Sequence, residues 1–138
     1  GIAAQALLRL GFALGDSTYL EAAERALGDS WAALSEVPYA YNAMLLALED
    51  YLYPPQTVVL RGTVEAMLPW QRFCIEQYAP RRWVLAVPAE AADLPGELAE
   101  RRAPEAGVVA YVCEGTHCQA PIDDFDTLRR TLPAPGGD

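Results

Sequence analysis

The chain has 138 residues, of which 52% are hydrophobic and 21% charged, so it carries enough apolar material for a packed core and is not a disordered segment. Nineteen acidic residues against ten basic ones give a net charge of −9, which argues against nucleic acid and against anionic membrane surfaces as partners. No apolar run approaches the roughly 20 residues of a spanning helix. All ten basic residues are Arg, which leaves no lysine for Schiff-base or lysine general-base chemistry.

The first third reads as helical. Ile2, Ala3, Ala6, Leu7, Leu10, Ala13 and Leu14 recur at three- and four-residue steps and share one face. A helical pattern that is already running at Ile2 is the mark of a fragment of a longer protein. Gly15-Asp16 breaks the pattern, and Thr18 with Glu21 has the form of a capping box. A second face follows through Leu20, Ala23, Leu27, Trp31 and Leu34. Pro38 suits the first turn of a third helix, Tyr39 to Leu52, whose Met44, Leu45, Leu46, Leu48 and Leu52 predict burial on most sides.

Tyr53-Pro54-Pro55 ends this helical segment, residues 1–53. Thr57–Leu60, Trp83–Val87 and Val108–Cys113 are continuous β-branched and aromatic runs, which suits strands covered on both faces. Residues 63–78 are helical in period but interrupted by Pro69, which predicts a kink or a helix start there. Residues 95–102 read as one or two helical turns, and Asp124 is placed to cap a last helix through Phe125, Leu128 and Leu132. The expected fold class is therefore α/β. The N-terminal helices pack on a small, mainly parallel three-stranded lobe over residues 54–132, with right-handed crossovers, and 133–138 form a loose tail.

One loop concentrates reactive side chains: Cys113, Cys118 and the single histidine, His117, lie within six residues after the third strand. Three readings stand open. Cys113 and Cys118 can be a redox pair, although four intervening residues is not the CxxC of thioredoxin-like oxidoreductases. Cys113, His117, Cys118 and the distant Cys74 can be a zinc set. Or the cysteines are packing residues of an apolar strand and its loop, as Cys74 is of an apolar helix. Arg61-Gly62-Thr63 is a strand-to-helix turn able to hold an anion, and Arg61 with Gly115 and His117 is the candidate ligand loop. Asp123, Asp124 and Asp126 read as a helix start. Glu49-Asp50 reads as a solvated helix end, and Trp31, Tyr39, Tyr41 and Trp70 as core aromatics rather than a sugar-stacking platform.

Three stretches carry a family resemblance: Ala3–Leu10 with Gly15-Asp16 and Tyr19–Leu27, then Pro38–Leu48, then the ending AYVCEGTHCQAP from Ala110 to Pro121. Together they resemble the C-terminal region of thioredoxin-domain-containing proteins of the spermatogenesis-associated protein 20 type. The resemblance implies an N-terminal thioredoxin-like domain and a central α/α-toroid similar to six-hairpin glycosidases, both belonging to the remainder of the same polypeptide. It also implies a cytoplasmic setting. The family's thioredoxin motif has no counterpart here, and only Cys113, Cys118 and Pro121 match its recognisable positions. The resulting expectation is a structural and interaction fragment of a larger carbohydrate-related or redox-linked protein, with no catalytic residues, metal or cofactor of its own. The alternative is a regulatory dithiol module at Cys113 and Cys118. Apolar surface exposed by truncation would favour dimers.

Overall fold

A computed structural model of the chain describes residues 1–132, so the expected tail at 133–138 lies outside the described residues. The chain divides into two compact units, Gly1–Pro54 and a second that begins at Pro55.

Unit 1 is all helical: α1 (Ile2–Leu14), α2 (Ser17–Asp29), α3 (Trp31–Glu36), a 3-10 turn (Pro38–Ala40) and α4 (Asn42–Leu52). Gly15 ends α1 in the left-handed conformation, φ 63°, which a residue without Cβ adopts freely. The start of α2 departs from expectation. Its cap is Asp16, whose carboxylate accepts from the Thr18 backbone N–H at 2.9 Å and from the Thr18 hydroxyl at 2.6 Å. These two bonds hold the Asp16 carboxyl below its usual value. The core is Ala4, Leu8, Ala23, Leu27, Leu34, Met44 and Ala47. Contrary to the expected burial of the third helix, α4 buries Met44 and Ala47 but leaves Leu45, Leu46 and Leu52 exposed.

Unit 2 contains β1 (Gln56–Gly62), α5 (Val64–Glu76), β2 (Arg82–Pro88), a 3-10 turn (Gly96–Glu100), β3 (Val108–Glu114), β4 (His117–Cys118) and α6 (Phe125–Thr131). It is α/β, but the sheet is mixed and four-stranded, in the order β2-β1-β3-β4. β1 and β2 are parallel, with α5 connecting them, whereas β3 runs antiparallel to β1 and β4 antiparallel to β3. The expected parallel third strand fails for a topological reason. Residues 89–107 hold only the 3-10 turn and no helix long enough to carry the chain back to the start of the sheet. The chain therefore re-enters where it left: Val108, the first residue of β3, pairs with Gly62, the last of β1.

Alternation along the strands builds two different faces. Val58, Leu60, Val108, Ala110 and Val112 point into a core with Met67, Trp70 and Cys74 of α5 and with Ile122, Leu128 and Leu132. Thr57, Val59, Arg61, Val109, Tyr111 and Cys113 take the other face. Both faces of β1 are buried, as its uninterrupted apolar run predicts, while β2 at the sheet edge is only half-buried. Pro69 sits inside α5 without ending it, and Thr63 caps that helix by accepting from the Ala66 N–H. Asp124 caps α6 as expected, through the Thr127 N–H at 2.9 Å and hydroxyl at 2.8 Å. Arg82 ties the elements at one end of the sheet, donating to Gln56 Oε1 at 2.7 Å and Gln77 Oε1 at 2.6 Å, while Gln77 Nε2 donates to the Leu132 carbonyl. Gly62 is required by close approach, because a Cβ there would stand 2.7 Å from the Gly107 carbonyl oxygen. Among the described residues no helix is long and apolar enough to cross a membrane.

Candidate functional site

The reactive loop is a β-hairpin. Glu114 pairs with His117 across the two-residue turn Gly115-Thr116, with Gly115 at φ 59°. Glycine at the first central position of such a turn matches the right-handed twist of the strands. The next pair outward is Cys113 and Cys118, directly opposed with Cα atoms 4.0 Å apart and joined by a disulfide. A strand of two residues lies below the length at which periodicity is visible, so β4 had no sequence signal beyond the turn glycine and the two cysteines.

The two sulfurs occupy unlike surroundings. Cys113 is buried, 6% exposed, on the second face of the sheet, whereas Cys118 is exposed. Arg101, just past the 3-10 turn, places Nη2 3.1 Å from Cys118 Sγ and 3.5 Å from Cys113 Sγ. Its guanidinium also lies 5.5 Å from the Tyr111 ring centroid and 3.5 Å from Glu97 Oε2. Beside Cys113 in register stands Thr57, whose buried hydroxyl has no hydrogen-bond partner among the described residues. A row Trp83–Thr57–Cys113–Cys118 thus crosses the whole sheet.

The zinc set is not assembled. Cys74 is in α5 on the opposite face of the sheet, and among the described residues no group of His, Cys, Asp and Glu is arranged to hold a metal ion. Burial pushes the Cys74 thiol up to about 11, against a smaller lowering by Arg82.

Arg61, Gly115 and His117 do not form one ligand loop. Gly62 pairs with Val108 at one end of β3 and Gln56 with Glu114 at the other, so Arg61 and the turn lie near opposite ends of the strand pair, on the order of 17 Å apart at about 3.4 Å per residue. At the start of α5 the Ala66 N–H is already taken by the Thr63 hydroxyl at 3.2 Å. Arg61 is instead a buried clamp, 4% exposed, donating from Nε to Val87 O at 3.1 Å, from Nη2 to Pro88 O at 3.3 Å and from Nη1 to Arg101 O at 2.6 Å. Tyr111 holds the next residue, its hydroxyl donating to Arg102 O at 2.7 Å. Arg101, absent from the expected site, is therefore the residue that links the two ends. It carried no motif, and its role depends on a loop path that residue patterns do not encode.

The remaining candidates separate. Glu49 is exposed, but Asp50 is buried, against the solvated helix end expected for the pair. Asp124 caps α6, and Asp126 pairs with Arg129 at 3.5 Å. Trp70 is core, packed 5.5 Å from Phe125, but Trp31, Tyr39 and Tyr41 are exposed, against expectation. Comparison of this chain with protein-family models, with curated proteins and with solved structures yields no match.

The raised Cys74 thiol has a definite pH consequence. In the unfolded chain the thiol ionises near its ordinary 9.0, and in the fold near 11. The stabilisation from keeping it neutral is complete below pH 9 and is lost as pH rises through 11. Denaturation of the wild type and Cys74→Ala at about pH 8 and about pH 10.5 will show a smaller alkaline loss of stability in the variant.

Proposed function

We propose that this chain is a structural and interaction module, the carboxyl-terminal part of a larger thioredoxin-domain-containing protein of the cytoplasm. Its helices close an α/α-toroid, and it has no complete active site of its own. The observation that carries this reading is the apolar surface left open on unit 1. Ile2, Trp31, Tyr39, Leu46, Leu52 and Tyr53 are each more than half exposed. On α4 the exposed side chains are organised. Leu45 and Leu52 lie seven residues apart in one row and Leu46 stands beside it, all on the side away from Met44 and Ala47. A helix apolar on both sides belongs between neighbours, and the remainder of the same polypeptide is the proposed neighbour.

On this reading the isolated chain covers this open apolar side by pairing with itself. Sedimentation equilibrium at tens of micromolar will detect dimers, and Leu46→Glu with Leu52→Glu will restore the monomer with unchanged far-UV circular dichroism. A wild-type monomer that binds no hydrophobic dye contradicts the reading.

A second reading, favoured by the Arg101 contact, makes Cys113 and Cys118 a regulatory dithiol served by a thioredoxin-like domain. In a cytoplasmic setting a disulfide is more often a transient redox element than a permanent staple. The exposed Cys118 sulfur is the point of attack for an external dithiol. Its thiolate forms a mixed disulfide with Cys118, the Cys113–Cys118 bond breaks, and the electron pair leaves on Cys113 as a thiolate. The second external thiolate then attacks its own partner sulfur and frees Cys118, leaving the carrier oxidised by two electrons. The Arg101 guanidinium stabilises the thiolates formed, and the buried Thr57 hydroxyl is a donor beside Cys113.

Arg101→Met removes the cation that stands 3.1 Å from the Cys118 sulfur. In the reduced protein, alkylation of Cys118 at neutral pH will then slow severalfold, because less of it is thiolate. Cys118→Ser will abolish dithiol exchange with little change in stability. Equal alkylation rates in wild type and Arg101→Met would remove this reading.

A further inference from the structure

The loop that Arg61 organises borders an open cleft of about 570 Å³, lined by Arg61, Ala89, Asp93, Leu94, Ala99 and Arg102 among others. It lies where β1 and β2 end, at Gly62 and Pro88. Beyond the carboxyl ends of parallel strands is where open α/β sheets bind ligands. β1 also has its parallel neighbour on one side and its antiparallel neighbour on the other, so the chain changes direction beside it.

The charge in this cleft is unbalanced. Arg61 is only 4% exposed, and its three partners are the neutral carbonyls of Val87, Pro88 and Arg101. A guanidinium has five N–H groups, so two remain after these three bonds. Among the described residues no carboxylate pairs with it, and burying a cation without an anion is costly. A second guanidinium, Arg102, lines the same cleft, and its backbone is fixed by Tyr111. The one acid in the lining is Asp93, held in the left-handed conformation at φ 56° and exposed to solvent. Alanines fill much of the rest, leaving room for more than an isolated ion.

We propose that this cleft is a binding site for a small organic oxyanion, a carboxylate or phosphate ester. Its charged group bridges Arg61 and Arg102, and its hydroxylated body lies against the alanine wall within reach of Asp93. The two arginines supply planar forks suited to oxyanions. Asp93 accepts hydroxyl hydrogens and repels a second negative charge. The site uses neither sulfur of the disulfide and none of the apolar side chains exposed on unit 1.

The test is a ¹H–¹⁵N titration of the chain with acetate and, separately, inorganic phosphate, at constant ionic strength set with chloride. Saturable shifts confined to the amides of Ala89, Ala91, Ala99 and Ala103 and to the Arg61 Nε–H are expected with at least one anion. The anion that saturates at the lower concentration identifies the headgroup. Arg102→Ala, a change at an exposed side chain, will weaken the binding by about tenfold, and Arg129→Ala on α6 will leave it unchanged. No saturable shift with either anion overturns the proposal, as do shifts that survive Arg102→Ala or spread equally to the amides around Arg129.

Discussion

The buried guanidinium of Arg61 is the constraint around which the second face of the sheet is built. A charge that is 4% exposed must find acceptors, and it finds them in the carbonyls of Val87, Pro88 and Arg101. Those three bonds tie the end of β1 to the end of β2 and pin a loop with no long helix of its own. Such directed bonds matter here because residues 89–107 bury no side chain that belongs to either core. The disulfide contact and the cleft on that face both hang from this loop.

The two faces of the sheet consequently have different kinds of order. The face toward α5 and α6 is held by apolar packing around Leu60, Met67, Trp70 and Leu128. The opposite face is held by directed bonds: Arg61 and Tyr111 grip the backbone at Arg101 and Arg102. Adjacent side chains on one short segment then serve two places, Arg101 at the disulfide and Arg102 at the cleft. Directed bonds of this kind release more readily than a packed core when one partner changes, which suits a surface that binds or exchanges thiols.

Much of this was legible in the residues, and the misses have physical causes. The caps at Gly15 and Asp124, the break at Pro54-Pro55 and the three long strands follow from local chemistry, and each is where that chemistry puts it. Asp16 displaced Thr18 as a cap because a carboxylate two residues ahead of an N–H satisfies it as well as a hydroxyl in a capping box. Strand direction failed because it depends on the absence of a helix between Pro88 and Val108, and PGELAERR reads as helix when it is only a 3-10 turn. The site was half visible. The Cys113 and Cys118 neighbourhood and Arg61 stand out in the residues, yet the residue joining them, Arg101, acts through its own carbonyl and through sulfur contacts. Neither leaves a spacing signature. The exposed leucines of α4 are a different kind of miss: its all-round apolar composition predicts burial, and the described chain alone does not supply the cover.

If Arg61 holds the loop that carries Arg101 and Arg102, loosening its grip must loosen them. The most direct test is amide hydrogen exchange in wild type and Arg61→Lys, since one ammonium cannot reproduce the guanidinium's planar fork to three carbonyls. Faster exchange is expected at Arg101 and Arg102, whose N–H groups bond to Leu98 O and Glu100 O, with protection retained at Val58, Leu60 and Val112 in the sheet. Unchanged exchange at Arg101 and Arg102 would show that the loop holds itself, and would contradict the role given to Arg61.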